Sequence, residues 1–98
     1  LAALKVDGGA SANNLLMQMQ ADISGAPVNR PMCVETTAMG AAYLAGLAVG
    51  YWSSKDDVIK NWAIDRTFEP AIDEAARAKM CKGWSKAVKC SYGWAKED

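Results

Sequence analysis

The sequence predicts an α/β half-domain whose strands are meant to join a larger sheet, and three observations carry that prediction. Leu1 to Val6 is apolar apart from Lys5 and stops abruptly at Asp7-Gly8-Gly9, as a buried strand does when it runs into a turn. Helix, strand and helix patterns follow in alternation, the order that builds a sheet with helices against its faces. The length of 98 residues allows one domain at most, and a chain that short buries only about two-thirds of its unfolded surface. Because Leu1 already stands inside the first strand, the sequence reads as a fragment of a longer chain.

From about Ser11 to Ser24, Leu15, Leu16, Met19 and Ile23 recur at helical spacing while Asn14, Gln18 and Asp22 take other faces. Gly25 supplies the left-handed stop. Pro27 to Pro31 is short and bracketed by prolines, which suits an edge strand better than a central one. A threonine hydroxyl at Thr36 or Thr37 is expected to cap a slim, alanine-rich helix from Ala38 to about Val49, ended by Gly50. Ser54 caps a short helix from Lys55 to about Asn61, and Ile64 to Phe68 alternates like a half-exposed strand. Asp73 caps the last helix, in which Ala76, Met80, Trp84, Ala87 and Val88 form an apolar stripe expected to be buried, and Gly93 stops it.

Composition excludes several functions. Eleven basic and eleven acidic residues cancel without forming a block, so no electrostatic footprint for nucleic acid or an anionic membrane exists. The most apolar stretch, Met39 to Trp52, falls short of the roughly 18 residues a membrane helix needs, and no signal-peptide layout opens the chain. Cys33, Cys81 and Cys90 form no C-x-x-C pair and read as reduced thiols of a cytoplasmic protein. Histidine is absent, which removes imidazole acid–base chemistry and most zinc sites from these residues. Nothing forms a nucleophile–base pair or a metal cluster, so no catalytic residue and no metal ligand is assigned here.

The most informative local feature is Asp7-Gly8-Gly9-Ala10-Ser11 between a strand and a helix. Two glycines let the backbone approach a ligand, and free amides at a helix start carry partial positive charge toward a phosphate or ribose oxygen. Asn13, one turn on, offers both donors and an acceptor to a ribose or base edge. Read alone, the pattern favours a tight turn at Gly8 and Gly9 with Asp7 satisfying its amides and Asn13 solvated, since the loop is neither G-x-G-x-x-G nor a Walker A sequence. Glu35-Thr36-Thr37 is assigned to capping, and Gly46 to Gly50, a G-x-x-x-G spacing, to close packing. Asp65 and Glu69 lie near Arg66 and are expected to make weak surface pairs.

Longer stretches resemble a known family. Val6 to Gln18 (VDGGASANNLLMQ), Glu35 to Gly50 (ETTAMGAAYLAGLAVG), and Phe68-Glu69-Pro70 with Gly83 to Val88 (GWSKAV) are similar to the FGGY carbohydrate kinases, in particular the glycerol-phosphorylating members, over essentially the whole chain. Met39 stands where leucine is expected, a volume-conserving change.

The resemblance implies an actin-like, ribonuclease-H-like ATPase fold of two domains, with residues 1–98 forming the C-terminal part of the nucleotide-binding one and a helical segment from about residue 71. It implies ATP/ADP in the cleft, with Mg2+ held mainly by residues outside this sequence, and transfer of the γ-phosphoryl to glycerol to give sn-glycerol 3-phosphate. Gly9 matches the loop glycine that meets the nucleotide, Asn13 the residue reaching the adenosine portion, and Gly8 and Ala10 belong to the same loop. The glycerol-binding residues and the catalytic aspartate belong upstream, so these residues alone are not expected to be active. A homo-oligomer in the cytoplasm, without nucleic acid or membrane insertion, completes the expectation. Two alternatives stand beside it: another sugar kinase of the family such as a xylulokinase, and a non-catalytic helical interaction module suggested by the slim helix and the tryptophans.

Overall fold

Side chains alternate across a strand, so the pairing register decides which residues share the covered face of a sheet. In the computed structural model, which describes residues 1–96, β2 (Val28–Pro31) is the middle of three strands, with β1 (Leu4–Lys5) parallel on one side and β3 (Ile64–Phe68) antiparallel on the other. Leu4 pairs with Val28 and Val28 with Phe68, which sets these three in one row. α1 (Asn14–Ser24) lies over that row and contributes Met17 and Ala21; with Val28 and Phe68 they form the core, and Leu4 and Val6 pack against it. Removing a side chain such as Val28 or Phe68 from water contributes about 1.5–3 kcal/mol each. This core is small, so those few residues carry much of the stability.

The prolines bracketing β2 do not make it an edge strand. Pro27 precedes the strand and uses only its carbonyl, which accepts from Leu4 N–H at 2.8 Å. Pro31 ends it, where the β2–β3 register shifts between Arg30 and Pro31 and no regular amide pairing is required. Proline excludes a strand from a sheet's interior only where its missing N–H would be needed, and both rings sit at the limits of β2.

α2 (Thr36–Ala48) begins two residues before the sequence predicts, and its capping position, Glu35, makes no side-chain bond. The Thr36 hydroxyl donates to the Asp7 carboxylate instead of capping. The ring of Trp52 lies against Gly46, where any Cβ would overlap it, and Tyr43 and Tyr51 meet that ring edge-on with centroids 5.3 and 4.8 Å away. Of the G-x-x-x-G pair only Gly46 serves close packing, against a returning loop and not a second helix; Gly50, with φ 78° and open space around it, follows the end of α2. Ser54 caps α3 (Lys55–Asn61) by accepting from Asp57 N–H, as expected.

Asp73 caps α4 (Glu74–Cys90), accepting from Ala76 N–H at 2.7 Å. Hydrogen bonds from Arg77, reinforced by its charge against a smaller desolvation effect, hold the Glu74 carboxyl below its ordinary 4.5. Whatever that exposed pair adds is therefore present above this pH and lost as the carboxylate protonates below it. The predicted buried stripe of α4 is largely uncovered: Met80 is 45% and Trp84 71% exposed. The helix meets α1 early in its length, where Cys81 Sγ donates to Ile23 O at 3.7 Å and the Arg77 guanidinium lies over Gly25. Seventeen residues span about 25 Å, so α4 outruns the 11-residue α1. Cys33, Cys81 and Cys90 are free thiols, and no helix among the described residues is long and apolar enough to cross a membrane.

The core assignment is testable. Phe68→Ala is expected to cost about 3–5 kcal/mol and the exposed cap change Asp73→Ala only about 1 kcal/mol, read from urea midpoints; equal losses would contradict the placement of Phe68.

Candidate functional site

In open α/β sheets ligands gather beyond the carboxyl ends of parallel strands, and the end of β1 delivers Asp7, Gly8 and Gly9 to that position. Gly8 adopts φ 82° and ψ 169°, a region that only glycine enters without strain. Its N–H donates to Val34 O at 2.8 Å, and its carbonyl accepts from Ser11 N–H at 3.1 Å and from the buried Ser11 hydroxyl at 2.6 Å. The loop is therefore fixed on both sides of its most permissive residue.

Beyond it, Gly9–Ala12 forms one 3-10 turn before α1 begins. The sequence reading ran the loop directly into an α-helix from about Ser11; the structure starts that helix three residues later because Asn13 is its N-cap, with Oδ1 accepting from Leu16 N–H at 3.0 Å. A short side-chain amide that competes with the backbone in this way interrupts helical continuation. Gly9, Ala10 and Asn13 are all exposed. As the first residues of the turn, Gly9 and Ala10 have no carbonyl one turn back for their amides. A methyl group added at Gly9 would meet nothing within 4 Å, so the backbone there is open to an incoming group. Asn13 has committed its oxygen to the cap and keeps its Nδ2 donors.

Sequence reasoning missed what holds this junction. Arg30, 9% exposed, points from β2 to the start of α1. Its Nη1 donates to Asn14 Oδ1 at 2.8 Å, Ser11 O at 3.1 Å and Ala12 O at 3.3 Å, while Nε and Nη2 lie 3.0 and 2.9 Å from Asp65 Oδ2. Asp65 thus pairs with Arg30 and not with its neighbour Arg66. The register explains the choice: Arg30 pairs with Arg66 and Pro31 with Ile64, leaving Asp65 as the extra residue of a bulge that re-aims its side chain. The available signal was the alternation itself, since Val28 and Arg30 fall on one face of any strand through them.

On the other side of Asp7, a cavity of about 350 Å3 opens between α2 and the end of β2, lined by Met32, Cys33, Thr36, Met39, Tyr43 and Trp62 among others. A shallower depression of about 270 Å3 adjoins it at Pro31, Thr36 and Trp62 and reaches Lys5 and Asp7, with Lys5 Nζ over the Trp62 ring at 4.7 Å. Neither space is lined by Gly8, Gly9, Ala10 or Asn13, which face outward.

A small mixed sheet with a glycine-bearing turn at the end of its parallel strand, backed by one helix and followed by further helices, is an α/β architecture consistent with an actin-like ATPase fold. The FGGY family of carbohydrate kinases, C-terminal domain, matches residues 1–49. The chain is 74% identical over 98 residues to a glycerol kinase of Agathobacter rectalis and 61% identical over 98 residues to glycerol kinase 1 of Clostridium tetani, covering all of this chain and 20% of each relative. Among solved structures, Plasmodium falciparum glycerol kinase with ADP superposes with a TM-score of 0.74 at 34% identity, over 94% of this chain and 18% of that one. A ligand-bound xylulose kinase from Lactobacillus acidophilus gives 0.79 at 18% identity, over 98% and 19% respectively, a likeness of fold alone. The chain belongs to the FGGY family of carbohydrate kinases. It spans about a fifth of the length of the curated relatives it matches.

The two glycines should answer differently to alanine. Gly8→Ala forces a side chain into a glycine-only conformation and is expected to destabilise by about 1–3 kcal/mol, whereas Gly9→Ala, with open space for its methyl group, should leave the urea midpoint unchanged. The reverse order would refute the loop geometry described above.

Proposed function

We propose that residues 1–98 are the C-terminal part of the nucleotide-binding domain of an ATP-dependent glycerol kinase, with a helical segment from about residue 71, and that the full protein converts ATP and glycerol to ADP and sn-glycerol 3-phosphate. The observation that carries the reading is the cradle at Gly9: an exposed backbone with room for a ligand, amides without partners in the turn, and the Asn13 Nδ2 donors one turn on. Identity to glycerol kinases along the whole chain supports the choice of acceptor.

On this reading Gly8 sets the loop's direction, Gly9 and Ala10 present backbone donors to the nucleotide, and Asn13 meets its adenosine portion. The residues fit such a guest, because oriented amides at the start of a helical turn favour a phosphate or ribose oxygen without any side-chain charge. Bound ATP would supply the transferable phosphoryl group. For Mg2+ the fit is absent: among the described residues no three carboxylates, thiols or imidazoles gather to hold an ion, and no step is assigned to a metal here. Phosphoryl transfer asks a protein chiefly to position groups and stabilise charge, and these residues would perform the positioning half. Action in the cytoplasm, as a homo-oligomer, belongs to the same proposal.

The test uses the full-length protein in a coupled assay for ADP. Turnover of glycerol is expected, and Gly9→Val, which fills the cradle, should raise the ATP KM by roughly tenfold or more with the glycerol KM unchanged. Turnover of a pentulose in place of glycerol would assign the chain to a sibling sugar kinase. Unchanged ATP affinity in the variant would remove the nucleotide from this loop.

A further inference from the structure

We propose that Arg30 is a positioning residue for the nucleotide loop, holding open the break between the 3-10 turn and α1 on which the placement of Gly9, Ala10 and Asn13 depends. The inference rests on the nucleotide reading of that loop and adds the residue that keeps it in shape.

In a helix running without interruption from Ser11, the amide of Leu16 would bond the carbonyl of Ala12, four residues back. Here the Asn13 side chain takes Leu16 N–H, so the Ala12 carbonyl loses its natural donor. A carbonyl deprived of its helical partner must find another or face water. Arg30 supplies the replacement from below: one guanidinium nitrogen reaches Ser11 O, Ala12 O and Asn14 Oδ1 together, at 3.1, 3.3 and 2.8 Å. Those three acceptors flank Asn13 on both sides. The guanidinium therefore stabilises the broken form of this segment over the continuous helix that its side-chain pattern favours.

Its anchorage is rigid. Asp65, aimed by the β3 bulge, takes Nε and Nη2, and the Phe68 ring lies 5.1 Å beneath the guanidinium carbon. Each successive residue of a helix turns by about 100°, so a segment that relaxed into continuous helix would swing Asn13 and the Gly9–Ala10 amides out of their common direction. Lysine cannot substitute, because its single ammonium group offers no planar fork that serves a carboxylate and the turn at once.

In the full-length protein, Arg30→Lys is expected to raise the Kd and KM for ATP about tenfold, leaving kcat and the glycerol KM unchanged. Asn14→Ala, which removes the shortest bond to Nη1 with a residue that helices favour, should move ATP affinity in the same direction by a smaller factor, and it carries the test if Arg30→Lys does not fold. A merely structural Arg30 would lower the thermal midpoint and the fraction of active enzyme with the ATP KM of the remainder intact, and that result overturns the proposal. The control is Gly9→Val. If it weakens ATP binding while Arg30→Lys and Asn14→Ala do not, the loop is a nucleotide site and Arg30 does not position it; if Gly9→Val is also silent, both readings fall.

Discussion

A guanidinium buried between a strand and the start of a helix must satisfy its N–H groups within the protein, because water is no longer there to do so. Arg30 meets that constraint in two directions, toward Asp65 on β3 and toward the carbonyls that precede α1. Burying a charge is costly unless it is paired and hydrogen-bonded; here the Asp65 carboxylate stays partly exposed while Nε and Nη1 of Arg30 are bonded inside the protein. The result is one side chain that ties β2, β3 and the loop into a single unit. The apolar core is too small to do this alone: it stops at Val28 and Phe68, and Arg30 continues the same face of β2 outward to where the loop turns.

Irregularity at two points makes this possible. A perfect β2–β3 ladder would send Asp65 to the face opposite Arg30, since neighbours on a strand point apart. The bulge reverses that and converts an exposed carboxylate into an anchor. Likewise, a perfect helix from Ser11 would satisfy its own carbonyls and leave Arg30 Nη1 without its backbone acceptors. Each departure from regular structure supplies what the other lacks, which is how local strain is commonly distributed around a functional segment.

What the sequence made legible follows from the range of the interactions involved. Ser54 and Asp73 as caps, and Gly25 as the stop of α1 with φ 67°, depend on residues within one turn and were read correctly. The strand–loop–helix order around Gly8 and Gly9 was legible for the same reason. The position of β2 in the sheet, the partner of Asp65 and the exposure of Trp84 depend on residues 24 or more positions apart or on how far one helix overlaps another, and no local pattern encodes them. The start of α1 was misjudged in between: the apolar spacing is helical from Ser11 onward, but a single amide on Asn13 and a guanidinium 17 residues away decide where the helix begins. Membership of the FGGY kinases needed neither, because it lies in the run of residues itself.

Zero net charge gives the whole matter its logic. A protein with a strong positive field can gather an anionic ligand from a distance and tolerate some looseness at the point of contact. This chain has no such field, and Lys5, the cation nearest in sequence to the loop, lies over Trp62 on the other side of Asp7. On the proposed function, these residues contribute backbone dipoles and one side-chain amide to the nucleotide, whose value falls off within a turn and depends on orientation. Dipoles of that kind stabilise charge only to the extent that they are fixed before the ligand arrives. The tether of Gly8 to Val34, the Ser11 hydroxyl on the Gly8 carbonyl and the Arg30 fork are three independent ways of fixing them. A loop that looks in sequence like a flexible pair of glycines is therefore stiff where its direction is set at Gly8 and open only at Gly9, where a ligand needs the room.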